Sequence, residues 1–190
     1  MSDDSESAIK PGLHHVNIKT NRLQEMIDWY VTVVGATVNF RFPGGAFLTN
    51  DRANHRIAFL TVPGLREHPE KIAHTGLHHT AFEYDNFDDL MSSYARLKKK
   101  GIEPQVCLDH GLTTSLYYAD PDQNLVELQV DNFSNWDLSG YERLRIFSAT
   151  RSVPFSILIL FWKPTGPECR LRSFITILAP ENTLPKSRRC

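Results

Sequence analysis

Apolar and polar positions follow two different periods in the first third of the chain. Residues 14–20 alternate as a half-buried strand does, and apolar side chains then recur at helical spacing from Leu23 to Val34, before Gly35. Three further strand-like runs follow this helix, at residues 37–42, 46–49 and 56–62. The pattern predicts the element order βαβββ.

The same pattern returns 64 residues later, so that position 12 aligns with position 76. The tetrapeptide Gly12-Leu13-His14-His15 matches Gly76-Leu77-His78-His79, and the apolar positions of the helix continue the match. The second copy predicts a strand at 78–84, a helix from Phe87 to Leu97, and strands at 103–108, 114–119 and 125–130. An internal repeat of this kind indicates a duplicated structural unit.

The repeat predicts an α+β fold in which two tandem βαβββ modules form one curved-sheet cleft, since neither half could bury its sheet alone. A chain of 190 residues with 41% hydrophobic composition suits one such domain. The predicted boundaries are a disordered leader at 1–10, the domain at 11–133 and an irregular C-terminal tail at 134–190. Within the domain, module one spans 11–62, a linker with two prolines spans 63–75, and module two spans 76–133.

Charge and cysteine content narrow the classes of partner and compartment. A formal net charge of -1 gives no field that would attract a polyanion, so nucleic acid is not an expected partner. Three separated cysteines, odd in number and without a CxxC pair, favour a reducing compartment and therefore a cytoplasmic protein. The most apolar run, residues 153–162, is shorter than the roughly 20 residues that span a membrane, so no membrane segment is predicted. A small-molecule partner is expected, and self-association stays open.

Two histidines and one carboxylate predict that the cleft binds a metal. His15 and His79 hold equivalent positions in the repeat, so a pseudo-twofold axis would bring both to the centre of the fold. Glu127 lies among apolar strand residues, where a carboxylate must find a partner or a metal. Taken singly, a strand histidine is more often hydrogen-bonded core, and Glu127 could face solvent. The repeated pair favours the metal, and strand alternation predicts that His14 and His78 point to the opposite sheet face as structural residues.

Three motifs carry a specific resemblance to a known family. They are Leu13-His14-His15-Val16, Gly76-Leu77-His78-His79 and the stretch 117–128, YYADPDQNLVEL. Over residues 11–133 the chain resembles type I extradiol ring-cleaving dioxygenases of the vicinal-oxygen-chelate superfamily. It is similar to the single-domain members described as biphenyl-2,3-diol 1,2-dioxygenase-like. The resemblance implies a vicinal-oxygen-chelate domain whose metal ligands are His15, His79 and Glu127.

The resemblance also implies three catalytic residues. Tyr117 stands ten residues before Glu127, as the family's active-site tyrosine does. His55 resembles the family's acid/base histidine, and His110 resembles another histidine of the pocket. Each has a plainer alternative, with Tyr117 as a buried aromatic whose hydroxyl is satisfied and both histidines as polar residues beside turns. The walls of the pocket are expected from Phe40, Phe42, Phe47 and Leu112.

The implied activity is that of an Fe(II)-dependent extradiol dioxygenase, which cleaves a catechol-type aromatic ring with O2. The partners are then a small aromatic diol and O2, and Mn(II) is the alternative to Fe(II) because both accept this ligand set. His55 is the expected proton acceptor and donor, while Tyr117 and His110 are expected to hydrogen-bond oxygen charge.

Two other classes of function stay open. A non-oxygenase metalloenzyme of the same fold, such as a glyoxalase-like isomerase, an epimerase or a resistance enzyme, often has a further ligand on the last strand of the first module. Residues 57–62 contain no His, Asp or Glu, which favours the three-ligand site. The other class is a binding protein that holds a small molecule without chemistry, and an intact triad argues against it.

The tail departs from the resemblance. A mostly polar, helical extension is expected after residue 133, and the chain is instead basic and interrupted by prolines. A one-base shift in the codons of a family-like peptide, FSNPIGPF, can encode SATRSVPF, the sequence of residues 148–155. A frame-shifted gene after about residue 146 is therefore the alternative to a genuine tail.

Overall fold

The computed structural model describes residues 9–67, 71–110 and 113–132, together with the backbone of residues 151–152. The chain divides into two compact units, Met1–His68 and Pro69–Cys190. Each unit carries one copy of the repeat.

The first unit has one helix and four strands among its described residues. In chain order these are β1 (Val16–Lys19), α1 (Leu23–Val33), β2 (Thr37–Phe42), β3 (Gly45–Thr49) and β4 (Ile57–Leu60). The sheet order is β1-β4-β3-β2, with β1 parallel to β4 and the other neighbours antiparallel. The chain leaves α1 through Gly35, whose φ of +73° is a left-handed conformation that glycine adopts without steric cost.

Helix α1 packs on one face of this sheet. Its buried side chains include Tyr30, whose ring meets Phe59 of β4 edge-on with centroids 5.2 Å apart. Strand residues of the opposite parity turn away from the helix, and the register aligns them in one row, Asn17, Ala58, Phe47 and Phe40. The face turned away from α1 therefore carries aromatic and polar side chains.

The second unit repeats this arrangement. Its described elements are a 3-10 turn (Lys71–Ala73), β5 (His79–Tyr84), α2 (Phe87–Lys99), β6 (Val106–Asp109), β7 (Thr113–Ala119), β8 (Leu125–Asp131) and the two-residue β9 (Arg151–Ser152). The sheet order is β5-β8-β7-β6-β9, and β5 is parallel to β8. Asn86 caps the N-terminus of helix α2, where its side chain accepts a hydrogen bond from the backbone N–H of Asp89 at 2.9 Å.

Helix α2 contacts β5 and β8, and its apolar stripe closes the core of the second unit. The buried apolar side chains on the helix are Leu90, Met91, Tyr94 and Leu97, and those on the sheet include Leu116, Tyr118, Val126 and Leu128. Full burial of one such aliphatic side chain contributes roughly 1.5–3 kcal/mol. The alternate strand positions, Tyr117 and Glu127 among them, therefore lie on the face turned away from α2.

The α+β class and the duplicated βαβββ order are confirmed, and the differences concern strand ends. The first strands begin at Val16 and His79, not at 14 and 78. Strand β6 begins at Val106, not at 103, because Pro104 has no backbone N–H to give to a neighbouring strand.

The predicted tail at 134–190 lies outside the described residues, apart from the backbone of 151–152, which pairs with β6. The predicted leader at 1–10 is described only at Ile9 and Lys10. No helix in the described part of the chain has the length and apolar character that crossing a bilayer requires.

Candidate functional site

Strand alternation places Glu127 on the face of its sheet that is turned away from α2. Val126 and Leu128 point into the core, so Glu127 between them projects from the other side of β8. Ala81 of β5 and Tyr117 of β7 are its neighbours in the sheet register. The residue is nevertheless only 5% exposed. A carboxylate buried to this extent needs hydrogen bonds or a cation.

Both oxygens of the Glu127 carboxylate have close partners. Oε1 accepts a hydrogen bond from the hydroxyl of Tyr117 at 2.7 Å, and Oε2 lies 2.9 Å from Nε2 of His79. Burial raises the pKa of Tyr117 above its ordinary range, and the hydrogen bond to Glu127 and its negative charge act in the same direction. The tyrosine therefore stays protonated at neutral pH and can donate.

His110 extends this network by one residue. Its Nε2 lies 3.2 Å from the Tyr117 hydroxyl oxygen. Because the hydroxyl proton is directed to Glu127, the oxygen accepts a hydrogen bond from His110. The backbone N–H of His110 donates to the carbonyl of Thr113 at 2.9 Å, which anchors the residue just after β6. The structure thus brings together four of the predicted site residues, His79, Glu127, Tyr117 and His110.

The first unit brings together the other two, His15 and His55. Their ring centroids are 4.5 Å apart, and His14 joins them with centroid distances of 5.3 Å to His15 and 5.0 Å to His55. His55 stacks on Phe47, with ring centroids 4.5 Å apart and planes 16° from parallel. Burial lowers the pKa of His55, and the neighbouring His15 and His14 lower it further.

The prediction that strand alternation turns His14 and His78 to the sheet face opposite His15 and His79 is wrong. Nδ1 of His14 lies 3.1 Å from Nδ1 of His15, and the equivalent atoms of His78 and His79 are 2.7 Å apart. Strand alternation does not govern these pairs, because β1 begins after His15 and β5 begins at His79. A hydrogen bond within either pair requires one protonated Nδ1 as the donor and one unprotonated Nδ1 as the acceptor.

Arg56, next to His55 in the chain, binds the segment that contains His14 and His15. The sequence pattern did not indicate this role. Its Nη1 donates to the carbonyl of His14 at 3.0 Å, and its Nε donates to Oδ2 of Asp51 at 2.8 Å. The pKa of Asp51 is lowered by a hydrogen bond from the backbone N–H of Ala53 and then by Arg56. Only the position of Arg56 next to His55 could have drawn attention to it.

Three of the expected wall residues form one aromatic cluster, and one of them, Phe47, contacts His55. Phe40 and Phe42 stack with centroids 6.0 Å apart, and both pack against Phe47. The ring of Phe47 stacks in turn on the ring of His55. Phe40 is 58% exposed, so one edge of this aromatic cluster is open to solvent. The fourth expected wall residue, Leu112, lies outside the described residues.

The donor chemistry of the second unit fits a divalent metal. Two ligands whose bonds of about 2.1 Å meet at a right angle lie about 3 Å apart. The 2.9 Å between His79 Nε2 and Glu127 Oε2 matches this separation. One imidazole and one carboxylate are also ligands that Fe(II) accepts.

Known proteins share this core. The family model described as Glyoxalase/Bleomycin resistance protein/Dioxygenase superfamily matches residues 12–128. Two relatives come from Rhodococcus globerulus: Biphenyl-2,3-diol 1,2-dioxygenase 2 is 49% identical over 127 residues, and Biphenyl-2,3-diol 1,2-dioxygenase 3 is 47% identical over 126 residues. These matches cover 67% and 66% of this chain, and the chain spans 66% of the length of each relative.

A solved structure agrees with the fold. The crystal structure of a glyoxylase/bleomycin resistance protein/dioxygenase domain from Frankia sp. EAN1pec superposes with a TM-score of 0.55. The superposition covers 67% of this chain and 96% of that chain, at 18% sequence identity. At this identity the likeness concerns the fold alone.

Proposed function

Since this chain belongs to the Glyoxalase/Bleomycin resistance protein/Dioxygenase superfamily, we propose that it is an Fe(II)-dependent extradiol dioxygenase that cleaves a catechol-type ring with O2. The observation that carries the proposal is the buried Glu127 carboxylate, held between Tyr117 and His79. Two relatives with 49% and 47% identity bear the name biphenyl-2,3-diol 1,2-dioxygenase, which supports the same activity.

The proposed metal ligands are His15, His79 and Glu127. His15 is included because it holds the position equivalent to His79 in the repeat. Mn(II) is the alternative to Fe(II) with these ligands. When bound, the metal supplies Lewis-acid and redox chemistry for joining a catecholate to dioxygen.

The residues of the chain then have separate tasks. Tyr117 holds the Glu127 carboxylate in one orientation through its hydrogen bond, and His110 supports Tyr117 from the other side. His55 is proposed to accept a proton from a substrate hydroxyl at Nδ1 or Nε2 and to return it later. Its lowered pKa favours the neutral ring, which is the form able to accept a proton.

The aromatic row of the first unit, which we define as Phe40, Phe42 and Phe47, favours an aromatic substrate. Phe47 stacks on His55, Phe40 and Phe42 pack against Phe47, and Phe40 is largely open to solvent. Aromatic rings prefer offset or edge-to-face packing against one another. A catechol-type ring stacked on this row would bring its hydroxyls toward the histidines.

The test is anaerobic purification with metal analysis, followed by oxygen uptake and absorbance scanning with a panel of catechols that includes 2,3-dihydroxybiphenyl. Wild type is compared with His79→Ala and with His74→Ala, which removes an exposed histidine before β5. Stoichiometric iron, oxygen uptake and a yellow ring-opened product are expected for wild type and His74→Ala, and not for His79→Ala. Bound metal without oxygen uptake would instead favour an isomerase or binding function, and a protein without metal would overturn the triad.

A further inference from the structure

The first unit presents three imidazoles as a compact group of ligands. One ligand atom each from His14, His15 and His55 lie within 4.8 Å of one another. His14 and His15 are exposed and His55 is half-buried, so a dissolved ion can reach all three. From these positions we propose that His14, His15 and His55 form a second metal site, which binds a zinc-like divalent ion. This site competes with the proposed iron site for His15.

The distances suit tetrahedral zinc. Zinc binds histidine nitrogen at about 2.0–2.1 Å, so two nitrogens of a tetrahedral site are about 3.3 Å apart. Nδ1 of His14 and Nδ1 of His15 are already 3.1 Å apart, and an ion bound by both would displace the proton of their hydrogen bond to solvent. The ligand atom of His55 lies within 4.8 Å of the other two. The exposed rings of His14 and His15 can change rotamer within nanoseconds and so adjust to the half-buried His55. Three imidazoles and one water complete a tetrahedral shell.

Other contacts hold the two segments of this site in place before any ion binds. Arg56 donates to the carbonyl of His14 at 3.0 Å, and Val16 donates to the carbonyl of Arg56 at 2.9 Å. The ring of His55 is fixed on one side by Phe47. Because the backbone and one ring are already ordered, metal binding has to order only the two exposed imidazoles.

The second copy of the repeat lacks this arrangement, although it has the same histidine pair. His78 and His79 lie side by side. Val16 pairs with Ile57 and the equivalent Thr80 pairs with Val126, so the position equivalent to His55, two residues before the paired residue, is Asn124 and not a histidine. Among the residues that the structure describes, the only group of three metal-ligating side chains is the one in the first unit. His78 therefore provides a matched control for His14.

The consequence for regulation rests on the proposed function. His15 cannot serve the zinc site and the iron triad together, and His55 cannot exchange protons while its ring nitrogen binds zinc. Zinc at this site therefore blocks iron loading and proton transfer at the same time. Imidazole ligands suit zinc, copper and nickel, whereas Fe(II) binds more weakly to most ligand sets.

The first experiment measures zinc binding independently of the triad. The full chain carrying His79→Ala and Glu127→Ala is titrated with Zn2+ against a chromophoric chelator, with His14→Gln or His78→Gln added to that background. Adding His14→Gln should weaken zinc binding by more than about tenfold, the low end of the loss seen when only a supporting residue is removed. His78→Gln should leave it unchanged. Equal affinity with and without His14→Gln, or no zinc binding in the background, would overturn the site.

A second measurement links the site to turnover. Oxygen uptake of each protein is measured at increasing zinc concentration and compared with its own zinc-free rate. For His14→Gln, the zinc concentration that halves oxygen uptake should rise by the same factor by which the affinity for zinc fell in the first experiment. A rise of the same size for His78→Gln would contradict the proposal. If no catechol is turned over at all, the proposed function fails, while the zinc titration still decides the metal site.

Discussion

Tyr117 and Glu127 face each other across β7 and β8, and the tyrosine hydroxyl donates to the carboxylate at 2.7 Å. Replacing Tyr117 by Phe leaves one buried carboxylate oxygen without this partner. We expect metal-free Tyr117→Phe to lose about 1–3 kcal/mol of unfolding free energy. Turnover by the iron-loaded protein should fall roughly 10- to 100-fold, since the carboxylate orientation is less fixed. Urea unfolding and oxygen uptake measure the two effects.

Tyr118→Phe is the matched control for this change. The Tyr118 hydroxyl is buried on the α2 side of the same strand and finds no hydrogen-bond partner among the residues that the structure describes. Its removal should be neutral or slightly stabilising, because no buried hydrogen bond is lost. Equal destabilisation by the two substitutions would mean that the Tyr117–Glu127 hydrogen bond does not contribute measurably to the free energy of unfolding.

His55→Ala separates proton transfer from metal binding. The proposed general base contributes about 10²- to 10⁴-fold to the rate, so turnover should fall within that range. Iron content should stay at the wild-type level, because His55 is not among the three proposed iron ligands. Metal analysis and oxygen uptake are compared with Asn54→Ala, the exposed preceding residue. Loss of iron together with activity would make His55 a structural residue.

Gly45→Ala tests the packing beneath the aromatic row. A methyl group at this position would lie 2.2 Å from Cζ of Phe42 and 2.7 Å from the carbonyl oxygen of Phe59. The ring must move and β3 must shift against β4, which we expect to cost about 1–3 kcal/mol. Gly12→Ala has nothing within 4 Å and should change stability by less than about 0.5 kcal/mol. Urea unfolding of both variants measures the difference, and similar values would contradict the close packing of Phe42 on Gly45.

Cys107 is expected to be unreactive in the folded protein. The thiol is 5% exposed, and burial raises its pKa to about 12. Since the thiolate is the reactive form, a disulfide reagent at about pH 8 should label Cys107 only after unfolding. The measurement uses Cys169→Ser with Cys190→Ser, so that one thiol remains. Rapid labelling without denaturant would show that Cys107 is accessible.

The same shift predicts a loss of stability in alkali. The folded pKa of Cys107 lies above its ordinary value of 9.0, so the thiol ionises first in the unfolded chain. Its contribution is fully present below about pH 9 and is lost as the pH rises toward 12. The difference in unfolding free energy between this protein and its Cys107→Ala variant should narrow over that range. A constant difference would contradict the raised pKa.

The sequence by itself determined the duplicated fold and the face on which the carboxylate lies. The repeat at Gly12 and Gly76 predicts two βαβββ units. Because side chains alternate along a strand, Glu127 projects from the face of the sheet opposite to Val126 and Leu128. These predictions succeed because side-chain direction within a regular element follows from residue spacing alone.

Only the tertiary structure decided how the histidines are arranged. His14 precedes β1, where no strand period fixes its direction, and its position depends on Arg56, a residue 42 positions away. The same holds for His110, which follows β6 and reaches Tyr117 only because β6 and β7 pair. Contacts of this kind depend on which segments pack together, and a pattern of hydrophobic positions contains no information about such side-chain partners.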